Sequence, residues 1–374
     1  MKSFCLFYPS NMYQNELNAI TKSNRYRSRK LYTDDLADFS SNDYLGFAEN
    51  KTLFERAVTQ VSQYKTHAPK ASILVNGYHP IHQEFEAFLT QHNGFEAALV
   101  CGSGFLANFS LIEALPRKRD LLILDEEYHA SGMVASKTVD AEVLTFAHND
   151  ANHLENLINT HNHNRIIIAV EGIYSMSGDL LNRDIFEVAD RYNALLIVDE
   201  AHSVGVVGEN LRGVFDLFGI TPKDNHIKMG TLGKALGSYG AYILCSEHIA
   251  EFLQNRAKAI IYTTAPSLFD IALGYQGLLY ILKNRAKLRV EIATRQAVIK
   301  NILNVKIDGL ICSYPLREDA HALAVQQGLI EEGFLVGAIR PPTVPKPILR
   351  LIPRLGESVS QLEKLCVHIQ KGAF

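Results

Sequence analysis

Lys234 sits in Thr231-Leu232-Gly233-Lys234-Ala235-Leu236-Gly237, enclosed by small and apolar residues. A lysine so surrounded loses part of the hydration that favours its ammonium form, so its pKa falls and it can act as an amine nucleophile or base. Asp199 and His202 stand in Val198-Asp199-Glu200-Ala201-His202, at the end of the strongly apolar run Leu195–Val198. Open α/β sheets place ligand groups at such strand ends, and an acid there can ion-pair with a cationic ring nitrogen. Read singly, Asp199 is equally a helix N-cap and His202 a satisfied core histidine.

Three further strand ends add to this pair. Gly102-Ser103-Gly104-Phe105-Leu106-Ala107-Asn108 follows the run Ala97–Cys101 and opens a helix, so Gly104 and Phe105 offer free backbone N–H groups to an anion. An ordinary strand-to-helix turn is the alternative, since a third dinucleotide-type glycine is missing. His129 follows the run Leu121–Asp125 and can stack on a flat ring, and Ser175 supplies a hydroxyl. An anion cradle, a ring, a hydroxyl, an acid and a lysine with Thr231 together suit a phosphorylated pyridine aldehyde. In that chemistry the lysine forms a Schiff base, the acid keeps the pyridine nitrogen protonated and the helix N-terminus neutralises phosphate; no metal is required.

The elements that must position these residues are legible as apolar runs with room for a helix between them. Seven runs are expected as strands: Ala97–Cys101, Leu121–Asp125, Glu142–Thr145, Ile166–Val170, Leu195–Asp199, His226–Thr231 and Gly240–Leu244. Helical spacing recurs over Phe105–Leu115, His153–Thr160, Asp184–Tyr192 and Glu247–Ala257, which predicts a mostly parallel sheet flanked by helices. A long helix over Phe269–Leu303 is followed by short strand-like pieces at Leu310–Tyr314, Leu335–Ile339 and Ile348–Ile352. The expected organisation is an N-terminal arm (1–45), a large cofactor-binding domain (46–267) and a smaller α+β C-terminal domain (268–374). The arm holds a helix around Glu16–Ile20 and the basic cluster Arg25, Arg27, Arg29 and Lys30. Arg340-Pro341-Pro342-Thr343-Val344-Pro345 reads as a rigid loop between two strands.

Composition narrows the function classes. In 374 residues, 37 Lys and Arg against 40 Asp and Glu give a net charge of −3, which offers no general electrostatic case for nucleic acid. No run approaches the ~18 apolar residues of a membrane-spanning helix, and the start, Met1–Pro9, lacks a secretory pattern, so a cytoplasmic location is expected. Cys5, Cys101, Cys245, Cys312 and Cys366 include no Cys-x-x-Cys pair and are expected to be reduced and mostly buried.

Beyond these physical readings, the chain resembles the α-oxoamine synthases among fold-type I pyridoxal-phosphate (PLP) enzymes, from about Arg25 onward. The likeness is carried by Ser40–Gly46, Gly102–Asn108, His129-Ala130-Ser131, Phe146-Ala147-His148-Asn149-Asp150, Glu171–Asp179, Val198–His202, Thr231–Gly237 and Ala338–Pro345. The resemblance implies that Lys234 holds the cofactor covalently, Asp199 pairs with its ring nitrogen and His129 stacks on it. It implies further that Gly104, Phe105, Ser175, His202 and Thr231 complete the cofactor site. Arg25, Asn42, Thr343 and Arg350 fall at substrate positions, with Arg350 suited to a carboxylate by its bidentate fork. Members of the family are dimers with interface active sites, and Tyr262-Thr263-Thr264-Ala265 resembles the segment that reaches the neighbouring site, with Thr264 as a phosphate contact; a helix-end turn is the other reading.

The activity so implied is condensation of L-alanine with a pimeloyl thioester, carried on coenzyme A or an acyl carrier protein, with loss of CO2, in biotin synthesis. A glycine C-acetyltransferase would share Lys234, Asp199 and His129 but use glycine and acetyl-CoA; Ala338–Pro345 favours the former. A non-catalytic partner subunit and a plain nucleotide-binding module are the remaining readings, and the presence of Lys234 weighs against the first. Departures from the family pattern are His67–Ile73, which lacks its glycines, Tyr128 where asparagine or serine is common, and Pro353-Arg354, which breaks a strand that usually runs on.

Overall fold

The computed structural model describes residues 12–23 and 25–372. The chain divides into two compact units, Met1–Leu36 and Ala37–Phe374. In the first, the helix Gln14–Lys22 buries none of its residues, and the basic cluster that follows it is exposed and non-helical.

The second unit is built on a seven-stranded sheet. Its strands are β2 (Ala97–Cys101), β3 (Leu121–Asp125), β4 (Glu142–Phe146), β5 (Ile166–Glu171), β6 (Leu195–Asp199), β7 (His226–Thr231) and β8 (Ala241–Cys245); a short β1 (Ala37–Asp38) precedes them. The order is β2-β8-β7-β6-β5-β3-β4, and all pairs are parallel except those β8 makes with β2 and β7. Successive side chains feed opposite cores: Ile166, Ile168 and Val170 join one apolar cluster, and Ile167 and Ala169 the other. Helices cover both faces, which is why these strands read as continuous apolar runs rather than alternating ones.

Sequence expectation and structure differ at element ends, for local reasons. The helix expected from His153 starts at Ala151, because the Asp150 carboxylate caps it by accepting from the backbone N–H groups of Asn152 and His153. The last strand starts at Ala241, since Gly240 has φ of +127° and lies outside extended geometry.

The helix Leu268–Leu303 leads from the main core into a third apolar cluster, in which its residues Val298, Ile299 and Leu303 pack with Phe39, Leu349 and Leu365. This cluster is walled by β9 (Cys312–Pro315), β10 (Phe334–Leu335), β11 (Gly337–Ile339) and β12 (Ile348–Leu351). β11, β12 and β9 form an antiparallel sheet, while β10 pairs in parallel with β1. The proline-dense segment does connect two strands, β11 and β12. Past β12, the Ile352 N–H donates to the Phe39 carbonyl and the Leu355 N–H to that of Tyr44. Arg354, buried between these bonds, donates to Asp43 (2.7 Å) and Asp38 (3.3 Å) and lies 3.3 Å from Glu49. The Pro353-Arg354 departure is therefore a tie holding residues 38–49 against the strand that carries Arg350. Cys101, Cys245, Cys312 and Cys366 are free and buried, and Cys5 lies outside the described residues. No helix among the described residues is long and apolar enough to cross a membrane.

Candidate active site

Lys234 lies in a tight turn between β7 and β8. Leu232 and Leu236 anchor the turn in the core, and Gly237 closes it at φ +58°, where a Cβ would fall 2.5 Å from the backbone of Phe47 and Ala48. Only glycine fits there, which accounts for the second glycine of the motif. Desolvation lowers the Lys234 pKa from 10.5 to about 8, against the opposing pull of Asp199 and Glu171; Arg350 adds to the lowering. Its Nζ stands 2.7 Å from His202 Nε2, and His202 Nδ1 is 2.5 Å from the Tyr44 hydroxyl. Burial first, then the charges of Lys234 and Arg350, push the His202 pKa well below its ordinary value, so this imidazole is neutral. His202 is thus fully hydrogen-bonded, and one of its partners is the reactive amine.

Asp199 ends β6 and is buried. Its Oδ2 accepts from Asn108 Nδ2 (2.6 Å) and its Oδ1 from the Ala201 N–H (2.9 Å). Asn108 is in turn oriented by the Tyr128 hydroxyl (2.8 Å). No helix begins after Asp199, so the N-cap reading does not describe it. Tyr128, the departure from the family pattern, works here as the residue that orients Asp199's partner. Glu171 ends the neighbouring β5 in register with Asp199. Desolvation and then the charge of Asp199 raise its pKa above the ordinary carboxylate value. Glu171 Oε2 accepts from the Ser175 N–H (3.0 Å), whereas Oε1 is buried without a partner among the described residues.

His129 is half-buried. Its Nδ1 accepts from the Ser131 N–H (3.3 Å) and lies 2.7 Å from the Ser131 hydroxyl, which assigns the proton to Nε2. Desolvation lowers its pKa, and the fields of Asp199 and Lys234 both reach it. The helix Gly104–Ala114 is capped by Ser103, whose Oγ accepts from the Leu106 N–H. Gly104 lies under Thr231, whose side chain would be 3.6 Å from a Cβ there. Thr231 Oγ1 donates to the Gly240 carbonyl and accepts from the Gly233 N–H. Arg350, on β12, donates through Nε to the Ser175 carbonyl (2.8 Å) and through Nη1 to Asn42 Oδ1 (3.0 Å). Its Nη2 is buried with no partner among the described residues.

The structure therefore joins Lys234, His202, Asn42, Arg350 and Ser175 through hydrogen bonds that run by Tyr44, with Asp199 and His129 near enough for the charge of Asp199 to act on Lys234 and those of Asp199 and Lys234 to act on His129, and with Gly104 and Thr231 together. Thr264 is exposed on the turn that ends the short helix Lys258–Ile261, and Thr343 is exposed on the loop before β12; neither side chain makes a hydrogen bond among the described residues. Phe105 is exposed, and Arg25 is an exposed residue of the first unit. Sequence reasoning did not single out Glu171, Asn108, Tyr44 or Tyr128 as site residues. Glu171 left one signal: like Asp125 and Asp199, it is a carboxylate ending an apolar strand.

The donor set fits a phosphorylated pyridine aldehyde. It offers an amine near neutrality, an acid held by two donors, a neutral imidazole, a capped helix start and a guanidinium with one free arm. A mostly parallel sheet with a desolvated lysine under the charge of strand-terminal acids suits an α/β enzyme that works through a carbonyl cofactor. The model of the aminotransferase class I and II family matches residues 34–369, and the chain belongs to that family.

More particular likenesses follow. An 8-amino-7-oxononanoate synthase of Helicobacter pylori is 43% identical over 95% of this chain and 95% of its own length. A protein of the same name from Saccharophagus degradans is 36% identical over 90% of each. Among solved structures, the 8-amino-7-oxononanoate synthase of Francisella tularensis superposes with a TM-score of 0.75 at 27% identity, covering 91% of this chain and 98% of that one. A serine palmitoyltransferase from S. paucimobilis with a bound PLP–myriocin aldimine shares the fold, with a TM-score of 0.87 at 21% identity over 97% and 96% of the two chains.

Proposed function

We infer that this chain is an 8-amino-7-oxononanoate synthase, a PLP-dependent acyltransferase of biotin synthesis. It condenses L-alanine with a pimeloyl thioester and releases CO2 and the thiol carrier. The single observation that carries the reading is the hydrogen-bonded chain from Lys234 through His202, Tyr44 and Asn42 to Arg350, on a chain 43% identical along almost its whole length to a protein of that name.

The bound cofactor supplies an electron sink for the bond broken at the amino acid's α-carbon. Lys234 attaches it and, with a pKa near 8, takes and returns the α-proton at Nζ. His202 Nε2, 2.7 Å away and neutral, accepts from Nζ and orients it. Asp199, kept in place by Asn108, would hold a protonated ring nitrogen, and His129 would hold the ring. Gly104, Phe105, Ser175 and Thr231 would complete the cofactor site, and Thr264 would serve the phosphate of a neighbouring subunit's site. The free Nη2 of Arg350 takes the amino-acid carboxylate beside Asn42. Arg25 and Thr343 are substrate positions in this reading. This reading takes the molecule to be a cytoplasmic homodimer with interface sites, each chain having an arm (1–45), a large domain (46–267) and a small domain (268–374). The third core, built from residues of 298–369 together with Ala37 and Phe39, supports a distinct C-terminal part.

The test is an absorbance titration of the purified protein with PLP, then with L-alanine and with glycine, followed by pimeloyl-CoA with thiol release as the readout. Alanine binding with thiol release is expected. A glycine preference with turnover of acetyl-CoA would replace this reading with the acetyltransferase one.

A further inference from the structure

The stretch Phe146-Ala147-His148-Asn149-Asp150 has no part in the chemistry above, yet His148 is among the most heavily engaged side chains of the sheet edge. Asp125, the fully buried last residue of β3, accepts at Oδ1 from the Glu127 N–H (2.8 Å) and faces His148 Nδ1 at 3.0 Å. At Oδ2 it accepts from the Asn149 N–H (2.8 Å) and the Tyr174 hydroxyl (2.7 Å). The other imidazole nitrogen of His148 is 3.2 Å from Asp179 Oδ2 and 3.9 Å from Glu127 Oε2, and its backbone N–H donates to Glu126. A ring with a carboxylate at each nitrogen donates from both and is a cation; desolvation opposes this, but Asp125 and Asp179 outweigh it and carry the pKa to about 10. His148 also stands edge-on to the Tyr174 ring, with centroids 4.4 Å apart at 83°.

One carboxylate–imidazolium pair thus ties together the turns that follow β3, β4 and β5, and two of those turns carry site residues. The turn after β3 leads through Tyr128, whose N–H donates to the Asp125 carbonyl, to His129. The turn after β5 is closed by backbone bonds between Tyr174 and both Gly178 and Asp179, and its Ser175 carbonyl receives Arg350 Nε. We propose that His148 and Asp125 are positioning residues of the amino-acid site: their ion pair fixes Tyr174, and through the Ser175 carbonyl it sets the guanidinium of Arg350 so that its free Nη2 meets the substrate carboxylate. This rests on the reading that Arg350 binds that carboxylate.

The test measures L-alanine affinity by absorbance titration of the holoenzyme, with the KM for pimeloyl-CoA as internal control. His148→Leu is expected to weaken alanine binding about tenfold while leaving the thioester KM within about twofold, because a misplaced contact group costs far more than its own bonds. Tyr174→Phe keeps the ring and loses one hydrogen bond; about a threefold loss with the same selectivity is expected. If His148→Leu does not fold, Tyr174→Phe decides alone. Arg350→Ala separates the two ideas. If it abolishes alanine binding while the His148 and Tyr174 variants bind as the wild type does, or lose alanine and thioester together, the positioning role is wrong and the Arg350 reading stands. If Arg350→Ala itself binds alanine normally, the Arg350 reading fails and the positioning role goes with it.

Discussion

Lys234 and Asp199 sit on the same cofactor in the proposed mechanism, yet their replacement is expected to fail in different ways. Lys234→Ala removes the amine, so turnover and the visible absorbance of the covalently held cofactor should both vanish; a fully active variant would sink the mechanism. Asp199→Asn keeps the shape and the phosphate contacts but loses the charge, so turnover should fall far more than PLP occupancy, measured by absorbance after gel filtration. The low pKa of Lys234 adds a pH signature. Only the neutral amine can attack the aldehyde, so PLP uptake by the apo protein should speed up as pH rises and level off above about 8, well short of an ordinary lysine's 10.5. Stopped-flow absorbance would check this, and a rate still climbing beyond pH 10 would show a fully hydrated amine. Lys234 and Asp199 were legible in the sequence because each announces itself locally, one by apolar neighbours and the other by ending an apolar strand. Asn108 and Tyr44 were not, because their importance lies in partners 91 and 158 positions away.

Among the elements, the seven strands of the main sheet were readable to within a residue, most of them because burial on both faces writes them as unbroken apolar runs, whereas the expected piece Leu335–Ile339 is split into β10 and β11 and that at Leu310–Tyr314 begins only at Cys312. Their connections were less so: a cap such as Asp150, or the tie made by Arg354, depends on what the chain meets in space. That tie carries a prediction of its own. Arg354→Ala leaves Asp43 buried without its charge partner, whose attraction opposes the desolvation that raises the Asp43 pKa, and should lower stability by about 3 kcal/mol in urea titration. The His148 pair should show as a pH dependence of stability. Its pKa is raised from 6.5 to about 10 on folding, so its contribution is complete below about 6.5, shrinks as pH rises and is gone above about 10. Differential scanning calorimetry should find the thermal midpoint falling across that window, and His148→Leu should flatten the decline.

At the scale of the whole molecule, the dimer proposal expects sedimentation equilibrium at twice the mass of one chain, with the exposed Val75, Tyr239 and Tyr262 as natural candidates for burial between subunits. A species of single-chain mass at micromolar concentration would remove that part of the reading. The third core has a consequence for biosynthesis. Phe39 and Leu365 share it, β1 pairs in parallel with β10, and the loop bearing Asn42 is tied down by residues that follow Leu351. A nascent chain can assemble the seven-stranded sheet while still attached to the ribosome, but its first strand must wait with an open edge until translation is nearly over. Premature termination anywhere before β10 would therefore release a polypeptide whose earliest segments have nothing to close upon, a species suited to chaperone capture and degradation rather than to partial activity.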